Sequence, residues 1–120
     1  MKIDEFILSE DSLYEMSNFN HRTTGLPPNI ELWVRTDLGD HGHNRYRVKI
    51  VKNREWSSIF TVSALPEKVK ELPKNQLSAS EEKEVMKFIE TYSSLIISLV
   101  DGKIDSAEFS IELKKLRGEK

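Results

Sequence analysis

Residues 25–63 read GLPPNIELWVRTDLGDHGHNRYRVKIVKNREWSSIFTVS, and this stretch decides the fold. Apolar and polar residues alternate in two runs, at 30–35 and 45–50, as is typical of strands with one buried face. Residues 37–44 form a polar connection with two glycines, and Asn53-Arg54 begins a second turn before a third strand at about 57–63. The stretch predicts an antiparallel meander of three strands, because short polar turns join neighbouring strands.

The segments on either side of the meander carry weaker patterns. Ser9 or Asp11 can cap a short N-terminal helix. Residues 20–28 contain a glycine and two prolines and are predicted to form a loop. Residues 66–73 begin and end with proline, so that they allow at most two helical turns.

Two capping boxes mark the helices that follow. Ser78 and Glu81 have the spacing at which a hydroxyl and a carboxylate each bind the other residue's backbone N–H, and Asp105 and Glu108 repeat it. The first box opens a long helix, and the second opens a short one that ends at about Leu116. Apolar residues recur at intervals of three and four along the long helix, which predicts a broad buried face: Val85, Phe88, Ile89, Tyr92, Leu95, Ile96 and Leu99.

These elements predict an α+β fold in a single domain spanning residues 1–120. A small antiparallel three-stranded meander packs against the long C-terminal helix, with a short N-terminal helix and a final short helix. Phe88 and Tyr92 are expected to lie in the core beneath the sheet.

Composition narrows the classes of function. The 120 residues are 38% hydrophobic and 32% charged, which suits a globular domain with a charged surface. The net charge of −2 argues against a dedicated nucleic-acid binder, and the absence of cysteine excludes disulfide and thiolate chemistry. The N-terminal residues do not resemble a signal peptide, and no apolar run is long enough to span a membrane. We therefore predict a cytoplasmic protein.

The polar face of the predicted hairpin is the first candidate site. Alternation places one aromatic and several basic side chains on that face: Trp33, Arg35, Arg45, Arg47 and Lys49. Trp33 reaches the cations of the second strand if the turn pairs residues near 36 and 44. This composition fits an acidic protein partner, or phosphate contact with base stacking. It also fits a solvated face on which the acidic N-terminal segment covers Trp33.

The polar connection is the second candidate. His41 and His43 project to the same side of an extended segment, and Asp37 or Asp40 can complete a site or orient a ring. His21 and Arg22 can join from the preceding loop. A solvated turn has the same composition, and a zinc enzyme needs three placed ligands. We predict no catalytic residue, no cofactor and no bound metal, and keep a metal-dependent enzyme as an alternative.

A calcium loop is the third candidate. Gly102, Ile104 and Glu108 have the spacing of the second half of an EF-hand. That register places Ile97 and Leu99 where oxygen ligands are required, and neither side chain has one. The sequence therefore favours a capped turn between two helices.

Short motifs resemble a family. GLP, LWV, a His-Gly turn and RYRVK, followed by a helix that ends in IDSAEF, resemble small bacterial proteins that carry a domain of unknown function. The likeness covers about residues 23–113. Such proteins are often encoded in mobile elements or near toxin–antitoxin pairs, so the resemblance implies an accessory, partner-binding role and supplies no catalytic residues.

The leading hypothesis is a small non-catalytic interaction protein that binds a protein partner through the hairpin face. A nucleic-acid-binding protein that uses the same face is the first alternative, and the metal-dependent enzyme is the second. No membrane association is expected, and the pattern does not predict an oligomeric state.

Overall fold

The computed structural model describes residues 16–35 and 46–118. Within these residues the chain forms five strands, three α-helices and one 3-10 helix. In chain order they are β1 (Met16–Phe19), α1 (His21–Thr24), β2 (Ile30–Arg35), β3 (Arg47–Lys52), β4 (Glu55–Thr61), β5 (Lys68–Glu71), the 3-10 helix (Pro73–Asn75), α2 (Ala79–Val100) and α3 (Ser106–Leu116).

The strands form one antiparallel sheet in the order β1-β2-β3-β4-β5, so every strand pairs with its neighbour in sequence. The predicted α+β class is confirmed, but the sheet has five strands instead of three. The three predicted strands correspond to β2, β3 and β4, with bounds that differ by about two residues. The new strands, β1 and β5, lie at the two edges.

The two edge strands lack the alternation that identified the others. The segment bracketed by Pro66 and Pro73 forms β5 and no α-helix. The pairing with β4 holds it through backbone bonds such as Leu72 N to Ser57 O, at 2.8 Å. Its side chains give little signal because Lys68, Val69 and Lys70 are exposed. The helix predicted from Ser9 or Asp11 begins outside the described residues, and Met16 already belongs to β1.

The loop predicted at 20–28 contains one helical turn. Asn20 caps α1 by accepting a hydrogen bond from the Arg22 N–H at 3.0 Å, and Gly25 ends the turn with a φ of 80°. A left-handed residue at this position is ordinarily glycine, since a side chain would be strained there. The turn leads directly into β2.

The β2–β3 register differs slightly from the expected pairing of residues 36 and 44. Trp33 lies opposite Lys49, and Val34 lies opposite Val48. This is a shift of two residues, and an even shift leaves every side chain on its predicted face. The predicted turn at Asn53-Arg54 is confirmed, with φ angles of 55° and 67°, which match the two left-handed positions of a type I′ hairpin.

Helices α2 and α3 cover one face of the sheet, here called the helix face. Its core contains side chains from all three central strands and both helices: Ile30, Leu32, Val34, Val48, Ile50, Phe60, Val85, Phe88, Ile89, Ile96, Phe109 and Leu113. Phe88 is buried as expected, whereas Tyr92 is only partly buried and packs on it with ring centroids 5.0 Å apart. At Tyr92 the backbone leaves helical geometry, with φ −112° and ψ 22°, so α2 contains a kink. None of the helices in the described residues is both long and apolar enough to cross a bilayer.

Both predicted capping boxes are present. The Ser78 hydroxyl accepts from the Glu81 N–H at 3.1 Å, and the Glu81 carboxylate accepts from the Ser78 N–H at 2.8 Å. Asp105 and Glu108 exchange the same two bonds at 2.7 and 2.9 Å. The reciprocal bonds satisfy first-turn N–H groups and fix where α2 and α3 begin.

The last helix is fastened to the first described strand and turn. The Ser106 and Ser17 hydroxyls are hydrogen-bonded, and Phe109 packs on Phe19 with centroids 4.7 Å apart. Just past α3, Arg117 Nη1 donates to the Thr23 carbonyl at 2.5 Å. Contacts between residues about 90 positions apart therefore close the helix face.

Candidate functional site

The face of the sheet opposite the helices holds most of the predicted interaction residues. We call it the tryptophan face and define it by six residues whose side chains share that side: Glu31, Trp33, Arg47, Lys49, Trp56 and Ile59. Strand pairing brings three of the predicted residues together, because Trp33 lies directly opposite Lys49 and Arg47 is two positions from Lys49 on β3.

Two tryptophans form the centre of this face. Their rings meet edge to face, with centroids 5.2 Å apart and an interplanar angle of 65°. Trp33 Nε1 donates to Glu31 Oε1 at 3.0 Å, which fixes the orientation of its indole. Both side chains are partly exposed. The pair therefore offers a large, rigid, partly exposed aromatic surface.

Lys49 lies against the ring of Trp56. Its side chain points to the predicted face but is only 2% exposed, although a solvated cation was expected there. The Lys49 Nζ is 5.3 Å from the centroid of the Trp56 ring. A cation–π contact in such a desolvated place contributes on the order of 2 kcal/mol. Lys49 and Arg47 both make further interactions, so these cations are already engaged.

An apolar layer lies beside the buried lysine. Ile59, opposite Lys49, is 1% exposed and forms a small cluster with Leu72, against which Trp56 packs. Val51, on the same side of the sheet, is 5% exposed. The tryptophan face is therefore a second packed face with aromatic rings at its surface, and it differs from the polar surface that strand alternation suggested.

Trp56 was missed because a β-bulge changes the direction of its side chain. Strict alternation from Phe60 through Ser58 would place Trp56 on the helix face. In the structure Ser58 pairs with Ile50 and Trp56 pairs with Val51, which leaves Ser57 as an extra residue. No local pattern in the sequence signals this insertion.

Asn75, which lies in the 3-10 helix, stabilises the bulge in β4. Its side-chain amide donates to three backbone carbonyls, those of Lys52 at 2.9 Å, Glu55 at 3.0 Å and Trp56 at 3.1 Å. The backbone carbonyl of Asn75 accepts a hydrogen bond from the Ser57 hydroxyl at 2.6 Å. Asn75 is thus a positioning residue for Trp56, although it lies 19 positions later in the chain.

Two predicted interaction residues remain, Arg35 and Arg45. Arg35 ends β2 at the position that pairs with Met16, two residues from Trp33. Arg45 lies outside the described residues.

The predicted polar site is described only at one end. His21 and Arg22 lie in α1, where Arg22 is exposed. Asp37, Asp40, His41 and His43 lie outside the described residues. Within residues 16–35 and 46–118, no three His, Asp or Glu side chains cluster in a way that could hold a metal ion.

The EF-hand alternative is not supported by the geometry. Ile97 and Leu99 lie in the last turn of helix α2, whereas an EF-hand needs these two positions in its loop. The Glu108 carboxylate accepts the Asp105 N–H of the capping box. This segment is a capped connection between α2 and α3.

Comparison of the chain with protein-family models, with curated proteins and with solved structures finds no match.

Proposed function

We propose that this chain is a small non-catalytic binding protein whose partner protein contacts the tryptophan face. The observation that carries the proposal is the edge-to-face pair of Trp33 and Trp56, which is partly exposed. Lys49 contacts the Trp56 ring, and Glu31 accepts a hydrogen bond from the Trp33 indole. Tryptophan is strongly enriched among the residues that dominate binding energy at protein interfaces. A rigid pair loses little conformational entropy on binding, so it suits such a role.

The burial of Lys49 favours a protein over a nucleic acid as the partner. A phosphate contact requires an accessible cation, and Lys49 is 2% exposed. Arg47, its neighbour on the same face, is half-buried and already engaged. The net charge of −2 also gives no long-range attraction for a polyanion.

Site-specific photocrosslinking tests the proposal. p-Benzoylphenylalanine replaces Trp33 in one variant and Thr91, an exposed residue of α2, in the control variant. Both are expressed in the cells from which the protein comes, irradiated, and analysed by mass spectrometry after a check that each melts like the wild type. We expect a discrete protein adduct from position 33 and none of that mass from position 91.

Two results would count against the proposal. Equal adducts from both positions, or none from position 33, would mean that the tryptophan face is not the contact surface. Quenching of tryptophan fluorescence by a single-stranded oligonucleotide, with a steep loss of affinity in salt, would instead establish the nucleic-acid alternative.

A further inference from the structure

The exposed side of helix α2 carries a stripe of four side chains, here called the α2 stripe. Lys83, Met86, Lys87 and Glu90 follow one another at intervals of three and four residues, so they lie along one side of the helix. The three charged residues are exposed, and Met86 is half-buried. All four precede the kink at Tyr92. The stripe therefore presents its side chains in a fixed order along a regular part of the helix.

An open groove lies beside the α2 stripe. It has a volume of about 550 Å³, and its other wall is the β4–β5 connection, which contributes Leu65 and Pro66. Leu65 is 80% exposed, so the groove has an apolar rim in contact with water. Covering such apolar area is favourable, because its removal from water stabilises the covered state. The groove therefore offers apolar surface for docking, flanked by charges of both signs.

The charges of the α2 stripe are complementary to themselves. Lys83 and Glu90 stand at its two ends, about two helical turns apart. A second α2 helix that runs antiparallel across the middle of the stripe therefore brings Lys83 of each copy opposite Glu90 of the other. Neither side chain forms an ion pair within the residues that the structure describes, so both charges are available for such contacts.

The mixture of charges indicates which occupant suits the groove. A partner of one charge sign is attracted by one end of the stripe and repelled by the other. A two-fold-related copy satisfies both ends at once, because in such an interface each of two residues contacts the other across the axis. Lys87 then lies opposite Met86 of the second copy, where its methylene stem packs on the thioether and its ammonium group stays in water.

We propose that the α2 stripe and the adjoining groove form the interface of a two-fold symmetric homodimer. The dimer would cover Leu65 and Met86 and would form the contact between Lys83 and Glu90 twice. Because only one stripe and one groove of each copy take part, the interface is small, and monomer and dimer should exchange rapidly. The interface contains no residue of the tryptophan face, so the proposal stands without the function proposed above.

Sedimentation velocity over a concentration series tests the proposal. The wild-type protein should pass from monomer to dimer as its concentration rises. Lys83→Glu places glutamate opposite Glu90 at both symmetric contacts, and Glu90→Lys places lysine opposite Lys83. Each variant should raise the dissociation constant of the dimer about tenfold or more, since repulsion replaces attraction twice. Because both positions are exposed, the variants should melt like the wild type.

The two single variants mixed in equal amounts give the sharpest result. One copy then supplies glutamate at both positions and the other supplies lysine at both, so every contact in a mixed dimer is attractive again. We expect the mixture to associate as tightly as the wild type. Lys114→Glu and Glu84→Lys, at exposed positions outside the stripe, give the same two net charges and are the matched controls. Alone or mixed, the controls should associate like the wild type.

Four outcomes would overturn the proposal. A wild-type protein that stays monomeric throughout would leave the groove to another protein or to another segment of this chain. A dimer that neither stripe variant weakens would place the interface elsewhere. A mixture of the stripe variants that associates no better than either alone would contradict the antiparallel two-fold pairing. Equal weakening by the control variants would assign the effect to net charge.

Discussion

Both faces of the sheet are packed, but the kinds of side chain that pack on them differ. On the helix face the central strands contribute Leu32, Val34, Val48 and Ile50, all fully buried. On the tryptophan face the neighbouring positions of the same strands contribute Trp33 and a buried lysine, Lys49. The centre of the helix face is built from apolar side chains, whereas the centre of the tryptophan face combines apolar area with oriented polar contacts.

The difference shows how the chain encodes each face. The helix face follows two regular periods, alternation in the strands and three-four spacing in α2, and these agree with each other. The tryptophan face depends on a bulge at Ser57 and on Asn75, which lies 18 positions later. One face is therefore specified locally and the other by a contact between distant parts of the chain.

The largest effect is expected on the helix face, for Phe88→Ala. Phe88 is 6% exposed and belongs to the main core, so removal of its ring should cost about 3–5 kcal/mol in the free energy of unfolding. Urea denaturation measures the loss. Thr91→Ala, on the exposed side of the same helix, is the control and should change stability little. A loss below about 1 kcal/mol for Phe88→Ala would show that α2 does not cover the sheet through this side chain.

The next effect concerns the support of the tryptophan face. Asn75→Asp replaces the amide that donates to three carbonyls with an oxygen that repels them, and should cost about 1–3 kcal/mol. The near-ultraviolet circular dichroism of the paired indoles should change as well, because Trp56 loses its fixed position. Gln76→Glu makes the same change of charge on an exposed neighbour and should alter neither. An unchanged spectrum in Asn75→Asp would show that the bulge does not need this residue.

A double-mutant cycle measures the aromatic pair itself. Trp33→Leu, Trp56→Leu and the double variant should give a coupling energy of about 0.5–1.5 kcal/mol for the edge-to-face contact. A parallel cycle between Trp33→Leu and Ile89→Val, which lies on α2 across the sheet, should be additive. Coupling of similar size in both cycles would mean that the two faces are not energetically separate.

The smallest effect is expected at the end of the helix face, at Glu81. Burial tends to raise the pKa of this carboxyl, but hydrogen bonds from Lys52, the Ser78 N–H and Asn29 outweigh it and lower the pKa from 4.5 to about 2. The folded state thus holds the proton less tightly than the unfolded state. The resulting stability is present above pH 4.5 and is lost as the pH falls toward 2.

Glu81→Gln should therefore be less stable than the wild type at neutral pH, by less than about 1 kcal/mol because the ion pair with Lys52 remains in contact with solvent. The difference should shrink between pH 4.5 and 2. Urea denaturation across that range measures it, with the exposed Glu84→Gln as control. A difference that stays constant with pH would assign the effect of Glu81 to its uncharged contacts.

Sequence reasoning succeeded where the determinants are local. The strand signals around Leu32 and Val48 and the capping boxes at Ser78 and Asp105 each lie within a few residues, and the structure has strands and helix starts at these places. The strand β5 could not be predicted, because backbone pairing with β4 forms it and its exposed side chains show no period. The burial of Lys49 and the direction of Trp56 were missed for a related reason, since both depend on which strand lies alongside and on one extra residue in it.

The fastening of Arg117 to Thr23 has a consequence for synthesis on the ribosome. The two residues are 94 positions apart. At a translation rate of about 5–20 residues per second, Arg117 is therefore synthesised roughly 5–20 seconds after Thr23. During that interval Phe19 also lacks the ring of Phe109 that packs on it in the finished protein. A nascent chain therefore exposes the apolar side chain of Phe19 until α3 has been translated.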